Sequence, residues 1–248
     1  VIFIKLANKL DNLRTSSALP PEEQQRIAQE ALEIYAPLAY RLGAEKLRTE
    51  LEDTAFQIVH PDEYQRITAF LESSRSEREA ILQEALQQME QLCAGKVPLL
   101  RMKGRSKHLY SRYRKATQRG VPIEEQQDLL GIRIIVPDVK SCYAVLGLLH
   151  EQFEPIEGTL KDYIANPKPN FYRSLHTALR LPSGKSIEVQ IRTPEIDEFA
   201  EEGLAAHWRY KKLQSDELFE KRTAWLKGVL DLQREWNVKE FLETAKVD

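Results

Sequence analysis

The period of the hydrophobic pattern changes near Gly95, and that change limits what the chain can become. Before it, apolar residues recur at helical spacing. Residues 1–15 read as one helix. Pro20-Pro21-Glu22-Glu23 sets proline and acids where the next begins. Ile27, Ala31, Ile34, Tyr35 and Leu38 then keep one face as far as Gly43. Further helices are expected from Glu45 to about Ile58, from Pro61 to Ser73-Ser74, and from Glu77 to Cys93. After Gly95 the pattern mixes. Val97 to Met102 suits a short strand, Ser106 to about Gln118 a basic helix, Leu129 to Val136 a β-branched strand, and Ser141 to Phe153 a helix. Thr177–Leu181 and Ser186–Thr193 read as a hairpin turning at Pro182-Ser183-Gly184. On its second strand Ile187, Val189 and Ile191 alternate with Glu188, Gln190 and Arg192, which predicts one buried and one polar face. Helices from about Pro194 to Tyr210 and from Asp216 to Trp236 close the chain. The class is α+β: all-α before Gly95, mixed after it.

Charge and cysteine content narrow the function. Thirty-six Lys and Arg against 38 Asp and Glu leave −2 over 248 residues, which excludes a uniformly basic nucleic-acid binder but not a local basic patch. Two cysteines, Cys93 and Cys142, cannot make a disulfide scaffold, and they fit a reducing, cytoplasmic compartment. No run approaches the roughly 18 apolar residues of a membrane span, and no signal peptide precedes the first helix. The chain opens inside an apolar run, Val1-Ile2-Phe3-Ile4, as an excised fragment would. HExxH, Walker A and GxGxxG motifs are absent, which disfavours zincins, P-loop enzymes and Rossmann enzymes.

Three stretches carry chemistry. Arg101, Lys103, Arg105, Lys107, Arg112, Arg114, Lys115 and Arg119 occur with no acid before Glu124. Helical spacing sets Lys107, Arg114 and Lys115 near one face, with Arg105 just ahead of outward-pointing backbone amides, an arrangement suited to a polyphosphate. The alternative is a solvated surface, as most charge runs are. Asp128 heads one strand and Glu188 lies on the polar face of another. On adjacent strands two such acids could hold Mg²⁺ against nucleotide phosphates; otherwise Glu188 is a surface acid paired with Arg192. The loop from Lys161 to Thr177 interleaves Tyr163, Lys168, Asn170, Tyr172 and His176. Rings to stack, an amide to read a base edge and lysines for phosphate suit a purine site. An ordinary loop with core tyrosines is an equal alternative on these residues alone. His207 and Cys142 read as packing residues.

GRSKHLYSRYRK (104–115), DLLGIR (128–133), KDYIANPKPNFYRSLHT (161–177), IEVQIRT (187–193) and AEEGLAAHW (200–208) resemble the synthetase domain of the long RelA/SpoT homologue family. IKLANKLDNLRT (4–15) resembles the last helix of that family's metal-dependent hydrolase domain. The resemblance implies a helical segment over 1–95, a nucleotidyltransferase-like mixed sheet flanked by helices over 96–212, and a helical tail over 213–248. It implies transfer of the β,γ-pyrophosphate of ATP to the 3′-hydroxyl of GDP or GTP, the stringent-response reaction. Asp128 and Glu188 would be the catalytic acids with Mg²⁺. Arg105 and Arg133 would sandwich adenine, and Lys107 and Lys115 would hold ATP phosphates. Tyr172 would stack on guanine and Asn170 read its edge, with Lys161, Tyr163, Lys168 and His176 on the same GDP/GTP side. Regulation by (p)ppGpp is a further implication; ribosome contact would need regulatory modules that this stretch does not contain.

Two departures stand out. The family usually has Asn-Gly-Tyr where this chain has Asn170-Phe171-Tyr172, and glycine permits a backbone conformation that phenylalanine resists. Asn8 replaces a metal-binding Asp of the hydrolase, and Asp11 stands where His is common, so hydrolysis is not expected from this chain. The competing reading is a catalytically silent guanine-nucleotide-binding regulatory module; retention of both Asp128 and Glu188 argues against it.

Overall fold

The computed structural model describes residues 2–105, 108–123 and 130–203. The helices come in the order expected: α1 (Ile2–Arg14), α2 (Pro21–Glu30), α3 (Ala36–Arg41), α4 (Glu45–Val59), α5 (Pro61–Ser73) and α6 (Arg75–Cys93), with a π-helical turn over Ala31–Tyr35 joining α2 to α3. Leu6, Leu10, Leu13, Ala28, Ala39, Leu51 and Ala55 form one buried cluster among the first four of these helices. Its many alanines let α4 lie close against α1, α2 and α3.

The remainder alternates: β1 (Arg101–Gly104), α7 (Leu109–Arg119), β2 (Leu130–Ile135), α8 (Val139–Gln152), β3 (Glu154–Pro155), β4 (Lys161–Asp162), β5 (Leu175–Arg180), β6 (Ser186–Arg192) and α9 (Pro194–Glu202). The class is therefore α+β with a mixed sheet, in the order β1-β2-β6-β5-β3, with β4 also on β5. β2 runs parallel to β6 and the other pairs are antiparallel. The hairpin β5–β6 forms as predicted, with Gly184 at φ 77° in its turn. The first strand begins four residues later than expected, and the two-residue strands β3 and β4 leave no period-2 signal to read.

One face of the sheet packs Ile132, Ile134, Val189, Ile191 and Leu179 against Met89 and Cys93 of α6 and Val145 and Leu149 of α8. The opposite face of β6 is not the solvated face that alternation predicts. Gln190 and Arg192 are each only 2% exposed. α9 and the N-terminal helices cover that face, and polar residues survive burial there because each finds a partner.

Gly203 ends α9 at φ 60° and ψ −138°, and Leu42 and Gly43 of the N-terminal helices meet it backbone to backbone. A β-carbon on Gly203 would fall 2.3 Å from Leu42 O. Gly203→Ala should therefore cost about 3 kcal/mol, from a conformation nearly reserved for glycine and from overpacking. Urea denaturation checks it, and a loss below 1 kcal/mol would mean that this contact yields freely.

Candidate active site

Strand register brings the candidates together. Arg133 on β2 lies opposite Gln190 on β6, and Gln190 lies opposite His176 on β5. Directly paired residues share a face, so these three form a row across the sheet. One row on, Glu188 faces Gly131. The missing side chain at Gly131 lets the backbone of Arg105 cross β2, and the Arg105 amide donates to Gly131 O at 2.7 Å. α7 follows and points Ser111, Arg112 and Lys115 to the same space, while Arg114 faces solvent. Among the described residues, 108, 111, 112 and 115 face this space; of the expected set Lys115 is there and Arg114 is not.

These elements enclose a cavity of about 290 Å³, lined also by Lys168, Asn170 and Tyr172 from the loop before β5 and by Glu201 of α9. Arg105, Lys115, Arg133, Lys168, Asn170, Tyr172, His176 and Glu188 therefore meet in one place. Asp128 and Lys107 lie outside the described residues. Lys161 pairs in register with His176 but is exposed and does not line the cavity. Tyr163 stands behind the lining, edge-on to Tyr172 at 6.0 Å and to His176 at 5.3 Å. Lys168 Nζ sits over both tyrosine rings, at 4.8 Å from Tyr163 and 5.4 Å from Tyr172.

The N-terminal helices close one wall, which no sequence motif announced. Tyr40, Glu45 and Arg48 line the cavity, and Asn170 Nδ2 donates to Tyr40 O at 3.2 Å. The start of α7 is also tied to α4. The Tyr110 amide donates to Asp53 Oδ1 at 2.9 Å, and His108 Nε2 lies 3.2 Å from Thr49 Oγ1. The Tyr110 amide in the first turn of α7 is thus engaged by a carboxylate 57 residues upstream. Helical periodicity makes Asp53 look like any surface acid; only packing shows its role.

Cations outnumber acids along the walls, and the two histidines there are buried among them. Burial first, then Arg48, Arg105, Arg112 and Arg114, push His108 down to about 4. Burial likewise drives His176 down to about 3, with Arg192, Arg105 and Lys168 opposing its protonation and Glu188 favouring it. Both imidazoles are neutral at physiological pH. The excess of cations along the walls, rather than the burial that dominates both shifts, is what favours polyanions here. Arg133 is fixed rather than free, between Asp197 (3.0 Å) and Glu201 (2.5 Å). Glu188 Oε1 accepts from Gln190 Nε2 at 3.1 Å and lies 3.6 Å from His176 Nδ1. Glu188 shares the cavity with Glu45 and Glu201, and one or two carboxylates beside substrate phosphates are what Mg²⁺ takes in a nucleotide site.

Phe171 sits at φ 63°, in the left-handed region, and among the described residues it is the sole non-glycine there. Its amide donates to Lys168 O at 2.7 Å, and Lys168 N donates to Tyr172 O at 3.1 Å, which closes the loop that presents Lys168, Asn170 and Tyr172. The chain thus adopts with phenylalanine the conformation that glycine would take easily. Comparing two truncations isolates the strain. Phe171→Gly should be more stable than Phe171→Ala by about 1 kcal/mol, the reverse of the usual order. Equal melting curves for the pair would mean that the loop relaxes without φ strain.

Residues 104–215 match the family described as "Region found in RelA / SpoT proteins", and residues 1–45 match an HD domain. A GTP pyrophosphokinase of Myxococcus xanthus is 44% identical over 254 residues, covering 100% of this chain and 33% of that protein. The bifunctional (p)ppGpp synthase/hydrolase SpoT of Escherichia coli K12 is 41% identical over 252 residues, covering 100% of this chain and 36% of that one. The chain thus spans about a third of the length of these relatives. The crystal structure of small alarmone synthetase 1 from Bacillus subtilis, bound to its product pppGpp, aligns at 25% identity over 69% of this chain and 95% of that one, with a TM-score of 0.43.

Proposed function

This chain belongs to the RelA/SpoT family, and from that premise we propose that it transfers the β,γ-pyrophosphate of ATP to the 3′-hydroxyl of GDP or GTP. The observation that carries the reading is the convergence, in one cationic cavity, of Arg105, Lys115, Arg133, Tyr172 and Glu188. Arg105 and Arg133 take the adenine between them, and the carboxylates on Arg133 hold its plane ready for stacking. Lys115, with Lys107, neutralises the ATP phosphates. Tyr172 stacks on guanine and Asn170 reads its edge, with Lys168 moving from the ring faces to the acceptor's phosphates.

Glu188 takes the proton of the 3′-hydroxyl. The oxygen attacks the β-phosphorus, the bond from that phosphorus to the bridging oxygen on the α-phosphate breaks, and AMP leaves. Such a transfer asks for positioning and charge neutralisation more than for covalent chemistry. Mg²⁺, held by Asp128 and Glu188, would supply further neutralisation of the phosphate charge. Synthesis rather than hydrolysis is assigned here, because Asn8 is a poor divalent-metal ligand. The relatives' names span both activities. Among the described residues no helix is long and apolar enough to cross a membrane. Cys93 and Cys142 are free and buried, in keeping with an enzyme that works in the cytoplasm beside its nucleotides.

The test is direct. ATP, Mg²⁺ and GDP or GTP are incubated with the protein, and AMP should appear in equal amount with a 3′-pyrophosphorylated guanine nucleotide. Guanine-nucleotide binding without product would turn the reading to a silent sensor. Tyr172→Ala should weaken GDP binding by about 1–3 kcal/mol in calorimetry; unchanged affinity would return Tyr172 to a packing role.

A further inference from the structure

We propose that Arg192 is the positioning residue of this site: its guanidinium sets the direction of the Gln190 hydrogen bond to Glu188, fixes the Tyr172 ring, and through it sets which proton His176 turns toward that carboxylate. What the site achieves rests on the synthetase reading, but the bonding pattern does not. Arg192 is 2% exposed and every nitrogen of its guanidinium is engaged. Nε donates to Ser174 Oγ (3.3 Å), Nη1 to Asp197 Oδ1 (3.1 Å), and Nη2 to both Gln190 Oε1 (3.0 Å) and the Tyr172 oxygen (2.5 Å).

A guanidinium can only donate, so each of these partners must accept. At Gln190 this turns the amide oxygen to Arg192 and leaves Nε2 to donate to Glu188 Oε1. At Tyr172 the oxygen accepts from Arg192 and lies 2.7 Å from His176 Nε2; with one lone pair taken by Arg192, the hydroxyl hydrogen on this proposal turns to Nε2. A neutral imidazole that accepts at Nε2 carries its proton on Nδ1. Nδ1 is the atom that faces Glu188, at 3.6 Å. The opposite tautomer would set a lone pair against the carboxylate. Two routes, one through Gln190 and one through Tyr172 and His176, thus bring donors to the same carboxylate, and both begin at Arg192. Asp197 anchors the start by pairing with Arg192 and with Arg133 together. Lysine would keep the charge opposite Asp197 but lose the fork that addresses two acceptors at once.

Long-range ¹H–¹⁵N spectra of the full chain near neutral pH read the tautomer directly, with the His176 signals identified by their loss in His176→Gln. The wild type should show His176 protonated on Nδ1. Arg192→Lys should turn those signals toward the Nε2–H form. Tyr172→Phe, which keeps the ring and guards against a folding defect in the buried lysine variant, should do the same. Turnover of Arg192→Lys should fall about 10- to 100-fold, as for other residues that orient a reactive group. A wild-type His176 protonated on Nε2, or a tautomer that neither variant moves, overturns the proposal. An Nδ1–H His176 that responds to both variants in a chain making no product would uphold the bonding pattern and remove the synthetase reading instead.

Discussion

Glu188→Gln should lower pyrophosphate transfer by about 10²–10⁴-fold, the range in which a positioned general base contributes. The substitution keeps size and hydrogen-bonding capacity. Its amide still meets Gln190 and His176, so folding should not change. What it loses is the ability to take a proton. It also weakens the hold on Mg²⁺ that Glu188 would share with Asp128, so kinetics are read at saturating Mg²⁺; there, loss of one negative charge from a cavity whose substrates are polyanions should leave the KM for ATP or GDP unchanged or lower. That split, with kcat lost and KM not raised, separates the proton-transfer role from simple binding. Steady-state kinetics with both nucleotides decide it. A loss smaller than tenfold would take Glu188 out of the proton transfer.

Asp197→Ala is the substitution with the largest expected effect on stability. The Asp197 side chain is only 8% exposed and pairs with three arginines: Arg101 at 2.7 Å, Arg133 at 3.0 Å and Arg192 at 3.1 Å. Arg101 is about half exposed and can turn to water. Arg133 and Arg192 cannot, because their side chains are 9% and 3% exposed. Two buried cations left without their shared anion should cost about 3–5 kcal/mol. For a chain of this size that is a fall of order 10 °C in Tm. Calorimetry of the variant measures it. A fall of only a degree or two would mean that Glu201 and solvent replace the lost partner, and that Asp197 is not the anchor of the network.

The parts of the site differ in how they could be read. The loop 161–177 was legible only in part: its tyrosines, asparagine and lysines suit a purine site, but by composition alone an ordinary loop with core tyrosines fits them equally. The hairpin β5–β6 was legible because alternation and a Pro-Ser-Gly turn are local signals. Arg192 was not. On its strand it occupies a position that alternation assigns to the polar side, and a surface pairing with Glu188 was the simple expectation. The structure instead buries it and pairs it with Asp197, five residues on, where α9 folds back over β6. Tyr40, Arg48 and Asp53 were equally silent, because nothing in a helical repeat tells a residue on an outer wall from one facing a cavity.

Local sequence by itself determined the order and type of the longer elements and the basic character of the segment around α7. Each of these depends on neighbours within a few residues, through side-chain period, proline and glycine geometry, or charge spacing. Tertiary structure alone decided which residues share the cavity. That required the parallel pairing of β2 with β6, which sets Gly131 beside Glu188, and the packing of α4 and α9 over the polar face of the sheet. Pairing and packing of this kind arise between residues tens of positions apart. They are selected by the burial of a whole face at once, so no local pattern contains them.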